Sequence, residues 1–199
     1  MNYYVDIKIQ PDDEMRENVL LNKIYTKLHK TIYDLKATDI GISFPRANKK
    51  LGCIIRIHST KNKLEALQAK NWLCGLSGYC KISDILLVPD KVDGYQTISR
   101  IRQNMSISRL QKKIAHQKSK GYLKTDDDIR SYEKHYKAKM LKTGLDNPYL
   151  ELQSISTGSK YRLYITFGEL QKTPVEGEFN RFGLSTTATV AIFSSSREN

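Results

Sequence analysis

The sequence predicts an α+β chain, and three observations carry that prediction. The first ninety residues alternate strand-like and helix-like patterns in the order β-α-β-β-α-β. A long acid-free stretch in the middle has helical periodicity, and the last third breaks into short strand-like runs.

Residues 3–10 (YYVDIKIQ) set Val5, Ile7 and Ile9 against Asp6 and Lys8, and that period of two makes a half-buried strand. Leu21, Ile24, Tyr25, Leu28, Ile32 and Leu35 then recur at helical spacing, with Asp12 and Asp13 ahead of the helix's positive N-terminus. Residues 40–44 read as a short apolar strand ended by Pro45, Asn48–Gly52 as a turn, and residues 53–58 as a third strand. Leu64, Leu67, Trp72 and Leu73 make a second helix, closed near Gly75 and Gly78, and residues 82–88 a last strand stopped by Pro89. This order is the ferredoxin-like split unit. RNA-recognition modules built on it stack bases on aromatic residues of the third strand. Here that strand reads GCIIRIHS and carries no aromatic residue, so any nucleic-acid contact must come from elsewhere.

Composition narrows the function. The 199 residues hold 33 Lys plus Arg against 21 Asp plus Glu, a net charge of +12, which points to a polyanionic partner with nucleic acid foremost. The 39% hydrophobic content supports a packed core rather than disorder. No run approaches the roughly 18 apolar residues of a membrane span, and MNYYVDIKIQPDDE is unlike a signal peptide. Cys53, Cys74 and Cys80 are odd in number and lack a CxxC pair, so they read as thiols in a reducing, cytoplasmic setting.

From Gly94 to Thr125 no acid occurs, against eight Lys or Arg. Arg109, Lys112, Lys113, His116 and Lys120 fall on one face of a helix over about 106–120. Ile107, Leu110 and Ile114 point the other way, toward a core. A cationic stripe with an apolar back suits a phosphate-lined groove. A merely solvated face would interleave Glu with Lys, and a membrane helix would carry Trp or Phe for insertion. Asp126, Asp127 and Asp128 look like a metal cluster, yet they also suit the first turn of a helix over residues 129–142 capped by Thr125. After GLDNP at 144–148, residues 149–154, 161–167 and 179–184 read as short strands, followed by a mostly polar tail.

Nine segments, in order, carry a family resemblance: the strand near Tyr4–Ile9, KLH at 27–29, IGISFP at 40–45, LGCIIRIHS at 51–59, LLVP at 86–89, SRIR at 99–102, the basic helix, SISTGSKYRLYI at 154–165 and FGLS at 182–185. Together they resemble the type I-F CRISPR repeat-processing endoribonucleases, over about residues 2–185. The resemblance implies a ferredoxin-like domain over 1–93 and a smaller C-terminal α/β domain over 94–199 that bears an RNA-binding basic helix. It implies cleavage of precursor CRISPR RNA at the 3′ base of the repeat hairpin by 2′-hydroxyl attack, without a metal or other cofactor, leaving a 2′,3′-cyclic phosphate. The implied partners are the repeat hairpin, as precursor and as mature guide RNA, and the other subunits of the type I-F surveillance complex, with no membrane.

The same resemblance assigns catalytic positions to His29, Ser154 and Phe182. Histidine suits proton transfer near neutrality, and His29 lies about 90° off the centre of its helix's apolar face, a boundary position open to a cleft. Ser154 would orient the 2′-hydroxyl. Phe182 stands where the family commonly has tyrosine, so its ring is kept and a hydroxyl is lost. RNA contacts are implied for Arg100, Arg102, Gln103, Arg109, Lys112, Lys113, His116, Lys120, Ser156, Thr157 and Tyr161. Arg100 suits bidentate guanine recognition; the family's glutamine two positions on is here Arg102, followed by Gln103. Gln111 and Gln117 replace basic residues of the family helix. Two rival readings remain: a catalytically weak hairpin-binding subunit, motivated by Phe182, and a basic DNA-binding protein.

Overall fold

The computed structural model describes residues 1–102, 105–140, 147–154 and 158–194. Strand β1 (Tyr3–Ile9) buries Val5, Ile7 and Ile9, the side its period of two selects. Helix α1 (Glu17–Asp34) packs Leu20, Leu21, Ile24, Tyr25, Leu28 and Ile32 inward. Its acid is Glu17; Asp12 instead closes a turn ahead of the helix, its Oδ1 accepting the N–H groups of Glu14 and Met15 (3.0 and 2.7 Å). Strands β2 (Gly41–Ser43) and β3 (Ile54–Ser59) and helix α2 (Lys61–Gln68) follow. Thr60 caps α2, which stops two turns earlier than periodicity indicates, because Asn71 turns the chain with φ 44°. Trp72 and Leu73 still reach the core, from turns rather than from a helix.

The strand expected over 82–88 is two pieces, β4 (Cys80–Ile82) and β5 (Leu86–Leu87), both antiparallel to β1. Ser83 causes the break: its hydroxyl oxygen accepts the Asp6 N–H (2.9 Å) while its own N–H donates to the Asp6 carbonyl (2.9 Å). The sheet order β2-β3-β1-β4 is that of the ferredoxin-like unit.

The remaining elements are β6 (Gly94–Gln96), β7 (Ile98–Ile101), α3 (Ile107–Ser119), α4 (Asp126–Met140), β8 (Tyr149–Gln153), β9 (Lys160–Phe167) and β10 (Val190–Ile192). β7, β9 and β8 form a second antiparallel sheet, and β10 returns to pair with β6. Ile98, Leu150, Leu152, Leu163, Ile165, Phe182, Leu184 and Val190 share one apolar core with β1, α1 and α2. A separate cluster of Leu110, Tyr136 and Met140 joins α3 to α4. No helix among the described residues is long and apolar enough to cross a membrane.

Residues 179–184 are not the strand their apolar content indicates but a loop that buries Phe179, Phe182 and Leu184 and leaves Asn180 and Arg181 exposed. Asn180 shapes it: its Oδ1 accepts the N–H groups of Phe182 (2.8 Å) and Leu184 (3.4 Å), and its carbonyl accepts that of Gly183. Gly183 has φ 68°, and a Cβ there would lie 2.6 Å from the Ile42 side chain, so only glycine fits.

Candidate functional site

Helix α1 grips this loop at two successive turns. Tyr25 donates its hydroxyl to the Phe182 carbonyl (2.7 Å), and one turn on, His29 Nδ1 lies 2.8 Å from the Arg181 carbonyl. Tyr25 is wholly buried, which raises its pKa and keeps the phenol protonated as a donor. The two bonds fix the peptides on either side of Phe182, and its ring stacks on the His29 imidazole at 4.1 Å and 13°. A carbonyl only accepts, so Nδ1 carries the proton and neutral His29 presents a lone pair at Nε2. Burial holds the imidazole below the ordinary histidine pKa; the bond to the Arg181 carbonyl partly offsets this, and the Arg181 guanidinium adds to it. Near neutrality His29 is therefore an oriented, uncharged imidazole.

Ser154 is reached through β8. Glu151 donates its N–H to Asn22 Oδ1 (3.0 Å), and Asn147, Pro148 and Tyr149 share a cleft with Arg16, Glu17 and Asn18, so β8 and α1 run in the same direction. From Asn22 to His29 the helix climbs about 10 Å, and from Glu151 to Ser154 the strand advances about 10 Å. Ser154 follows the last residue of β8 in that same direction. Its N–H donates to the Ser159 carbonyl (2.9 Å) and its carbonyl accepts the Gly158 N–H (2.8 Å). Tyr161 sits opposite Leu152 in the ladder and close enough to Tyr25 to perturb it. The Arg100 guanidinium carbon lies 6.0 Å from the Tyr161 ring centroid. The structure thus joins His29 to Phe182 and the Arg181 carbonyl, sets Tyr161 near Tyr25 of the same helix, and puts Arg100 beside the Tyr161 ring. Gln103, Ser156 and Thr157 lie outside the described residues.

The cationic stripe is on a separate element. Ser106 caps α3 through the Arg109 N–H (3.2 Å), and Arg109, Lys112, Lys113, His116 and Lys120 are all exposed. Lys113, at the stripe's edge nearest Leu110, leans over the Tyr136 ring of α4 at 5.5 Å. Of the three apolar residues assigned to the core side, Leu110 is buried and Ile114 half-buried, but Ile107 is 48% exposed because it begins the helix at its outer end. Arg102 is exposed on the segment that leads into α3. The three aspartates occupy the first turn of α4, and one of them caps it. Asp128 accepts the Thr125 and Lys124 N–H groups (2.9 and 3.1 Å) while its own N–H donates to Thr125 Oγ1 (3.1 Å), a reciprocal capping box. Those bonds to Thr125, foremost, hold the Asp128 carboxyl below its usual pKa.

Sequence reasoning missed Tyr25, Asn180 and Arg181 as parts of the site. The signal available was the spacing of Asn180 and Gly183, turn chemistry inside an apolar run.

A sequence model of the family described as CRISPR-associated protein (Cas_Csy4) matches residues 4–193. Over 193 residues the chain is 33% identical to the CRISPR-associated endonuclease Cas6/Csy4 of Escherichia coli (strain UTI89 / UPEC), covering 97% of this chain and 100% of that protein. It is 31% identical over 196 residues to the protein of the same name from Pseudomonas aeruginosa (strain UCBPP-PA14), with 97% and 100% coverage. Among solved structures it is similar to "Structure A of CRISPR endoribonuclease Cse3 bound to 19 nt RNA", at TM-score 0.37 and 10% identity over 95% of this chain and 99% of that one.

Proposed function

The chain belongs to the Cas_Csy4 family of CRISPR-associated proteins, the type I-F repeat-processing endoribonucleases, and on that premise we propose that it cleaves precursor CRISPR RNA at the 3′ base of the repeat hairpin. Catalysis is metal-independent. The RNA's own 2′-hydroxyl attacks the adjacent phosphorus, a 2′,3′-cyclic phosphate forms as the P–O5′ bond breaks, and the protein stays on the mature guide RNA within the type I-F surveillance complex.

The observation that carries this reading is the His29 arrangement. Its Nδ1–H is tied to the Arg181 carbonyl, so Nε2 is free to take the proton of the 2′-hydroxyl. The resulting imidazolium keeps that bond, now stronger because the donor is charged. The departing 5′-oxygen takes up a proton, which balances the step. Ser154 orients the 2′-hydroxyl, and Tyr161 offers a ring to the base beside the cut. Arg100 and Arg102 read base edges at the foot of the stem, while the α3 stripe holds the phosphates.

A cleavage assay on the cognate repeat in EDTA tests the proposal. Product with a cyclic phosphate end is expected from the unaltered protein. His29→Ala is expected to abolish cutting while hairpin affinity stays within about tenfold, about 1.4 kcal/mol. Full activity in that variant overturns the assignment. The Phe182 ring on His29, which lacks a hydroxyl, supports a second reading as a weakly catalytic hairpin-binding subunit. Tight binding by the unaltered protein with no product over many hours would favour it.

A further inference from the structure

Between α3 and α4 lies a groove of about 800 Å³, on the scale of small-ligand sites, that borders the cationic stripe of α3. Its walls carry the rings of Tyr122, Tyr132 and Tyr136 and the cations Arg102, Lys113 and Lys139. We propose that this groove binds an unpaired nucleotide of the bound RNA, its base stacked on Tyr122 and Tyr132 and its phosphate held by Lys113 and Lys139. The proposal rests on the functional reading above and adds a second stacking site to it.

Four observations support this occupant. Tyr122 is 73% exposed in the turn after α3, a large ring that the core does not bury. Tyr132 and Tyr136 lie with their ring centroids 6.4 Å apart and tilted by 32°, so the groove has an aromatic wall as well as an aromatic mouth. The Tyr136 hydroxyl is buried with no hydrogen-bond partner among the described residues, an arrangement that costs free energy until a polar atom meets it. The lining is also cationic. Its acid, Asp128, is already occupied by the backbone amides of Lys124 and Thr125, so nothing in the groove repels a phosphate strongly.

Continuity specifies RNA rather than a free small molecule or a peptide. Lys113 belongs both to the stripe on α3 and to the groove, and Arg102 stands on the segment that leads into that helix. A strand whose phosphates follow the stripe passes the groove at Lys113, and a nucleotide outside the paired stem has the freedom to turn in. Stacking on aromatic rings tolerates any base, so the groove adds affinity without sequence choice.

The test uses repeat RNAs carrying 2-aminopurine at each unpaired position in turn, together with a blunt hairpin that has none. Base stacking is worth about 1–3 kcal/mol. Tyr122→Ala is therefore expected to weaken binding of the full repeat by about fivefold or more and to leave the blunt hairpin's affinity unchanged. One fluorescent position is expected to be quenched by the unaltered protein and released by Tyr122→Ala. Tyr132→Leu, which keeps apolar volume and removes the ring, is expected to release the same position. Intact hairpin binding with no position responding to either variant overturns the groove as a nucleotide site; a groove that contacts protein would give that result. Failure of the unaltered protein to bind the hairpin at all overturns the functional reading, and this inference with it.

Discussion

His29 shows how one residue is tuned by a segment 152 positions away in the chain. Its place on the helix boundary was legible from spacing along α1. The carbonyl that fixes its tautomer was not, because a backbone acceptor from a distant loop leaves no trace in local periodicity. Arg181 acts on it twice, through its carbonyl and through its guanidinium. Arg181→Ala keeps the carbonyl and removes the charge that disfavours imidazolium, so the His29 pKa rises. The acid limb of the pH–rate profile should then move to higher pH, and an NMR titration of the imidazole should move with it; an unmoved titration would show that the guanidinium does not act on the ring. His58 makes the opposite use of the same chemistry. It is wholly buried, its Nε2 lies 2.8 Å from Ser43 Oγ, and burial together with Arg56 pushes its pKa down to about 3. Above its unfolded pKa of about 6.5 both states are neutral and there is no penalty. As pH falls below that value the unfolded chain takes up a proton that the folded one refuses, so stability drops toward pH 3 by up to about 1.4 kcal/mol per pH unit. Denaturant titrations between those pH values should give a shallower pH slope for His58→Gln than for the parent.

At the scale of elements, what the sequence made legible follows physical rules with local causes. β1, α1 and α3 declare themselves through period and charge, because the apolar residues of each gather on one face. The 179–184 loop was misread because Phe179, Phe182 and Leu184 are buried as a strand's residues would be, while an Asn side chain and a left-handed glycine replace the ladder. Asn180→Ala should therefore unseat Phe182 from His29 as well as destabilise the loop, and the measurement is cleavage rate alongside the thermal midpoint. A rate loss well beyond that expected from the unfolded fraction is the predicted outcome. The stripe on α3 makes a separate prediction. Lys112 and Lys113 are exposed, and each phosphate contact contributes about 0.7–0.9 to the slope of log affinity against log salt. Lys112→Ala with Lys113→Ala should lower that slope by about one to two units across repeat variants alike. An unchanged slope would take the RNA off this helix.

Across the whole molecule, Arg56 ties the two ends of the chain together. On β3 and only 1% exposed, it forks onto Asp6 of β1 at 2.7 and 2.8 Å, and its third nitrogen donates to the Phe193 carbonyl at 2.8 Å. The guanidinium also packs against two rings that touch each other, 4.7 Å from the centroid of Tyr4 and 3.8 Å from that of Phe193. One side chain thus joins the first strand, the sheet centre and the residue just after β10, closing the last strand onto the first sheet. Two charges removed from water repay their desolvation only while both are present and bonded. Asp6→Ala leaves the guanidinium buried without its carboxylate and should cost about 3–5 kcal/mol. Replacing both partners by apolar residues, Asp6→Leu with Arg56→Met, removes the charge together with its need for a partner and should cost less than Asp6→Ala alone. Urea unfolding followed by the fluorescence of Trp72, the chain's single tryptophan and a buried one, measures both. A double variant no more stable than Asp6→Ala would show that the clamp acts through the rings and the Phe193 carbonyl rather than through the ion pair.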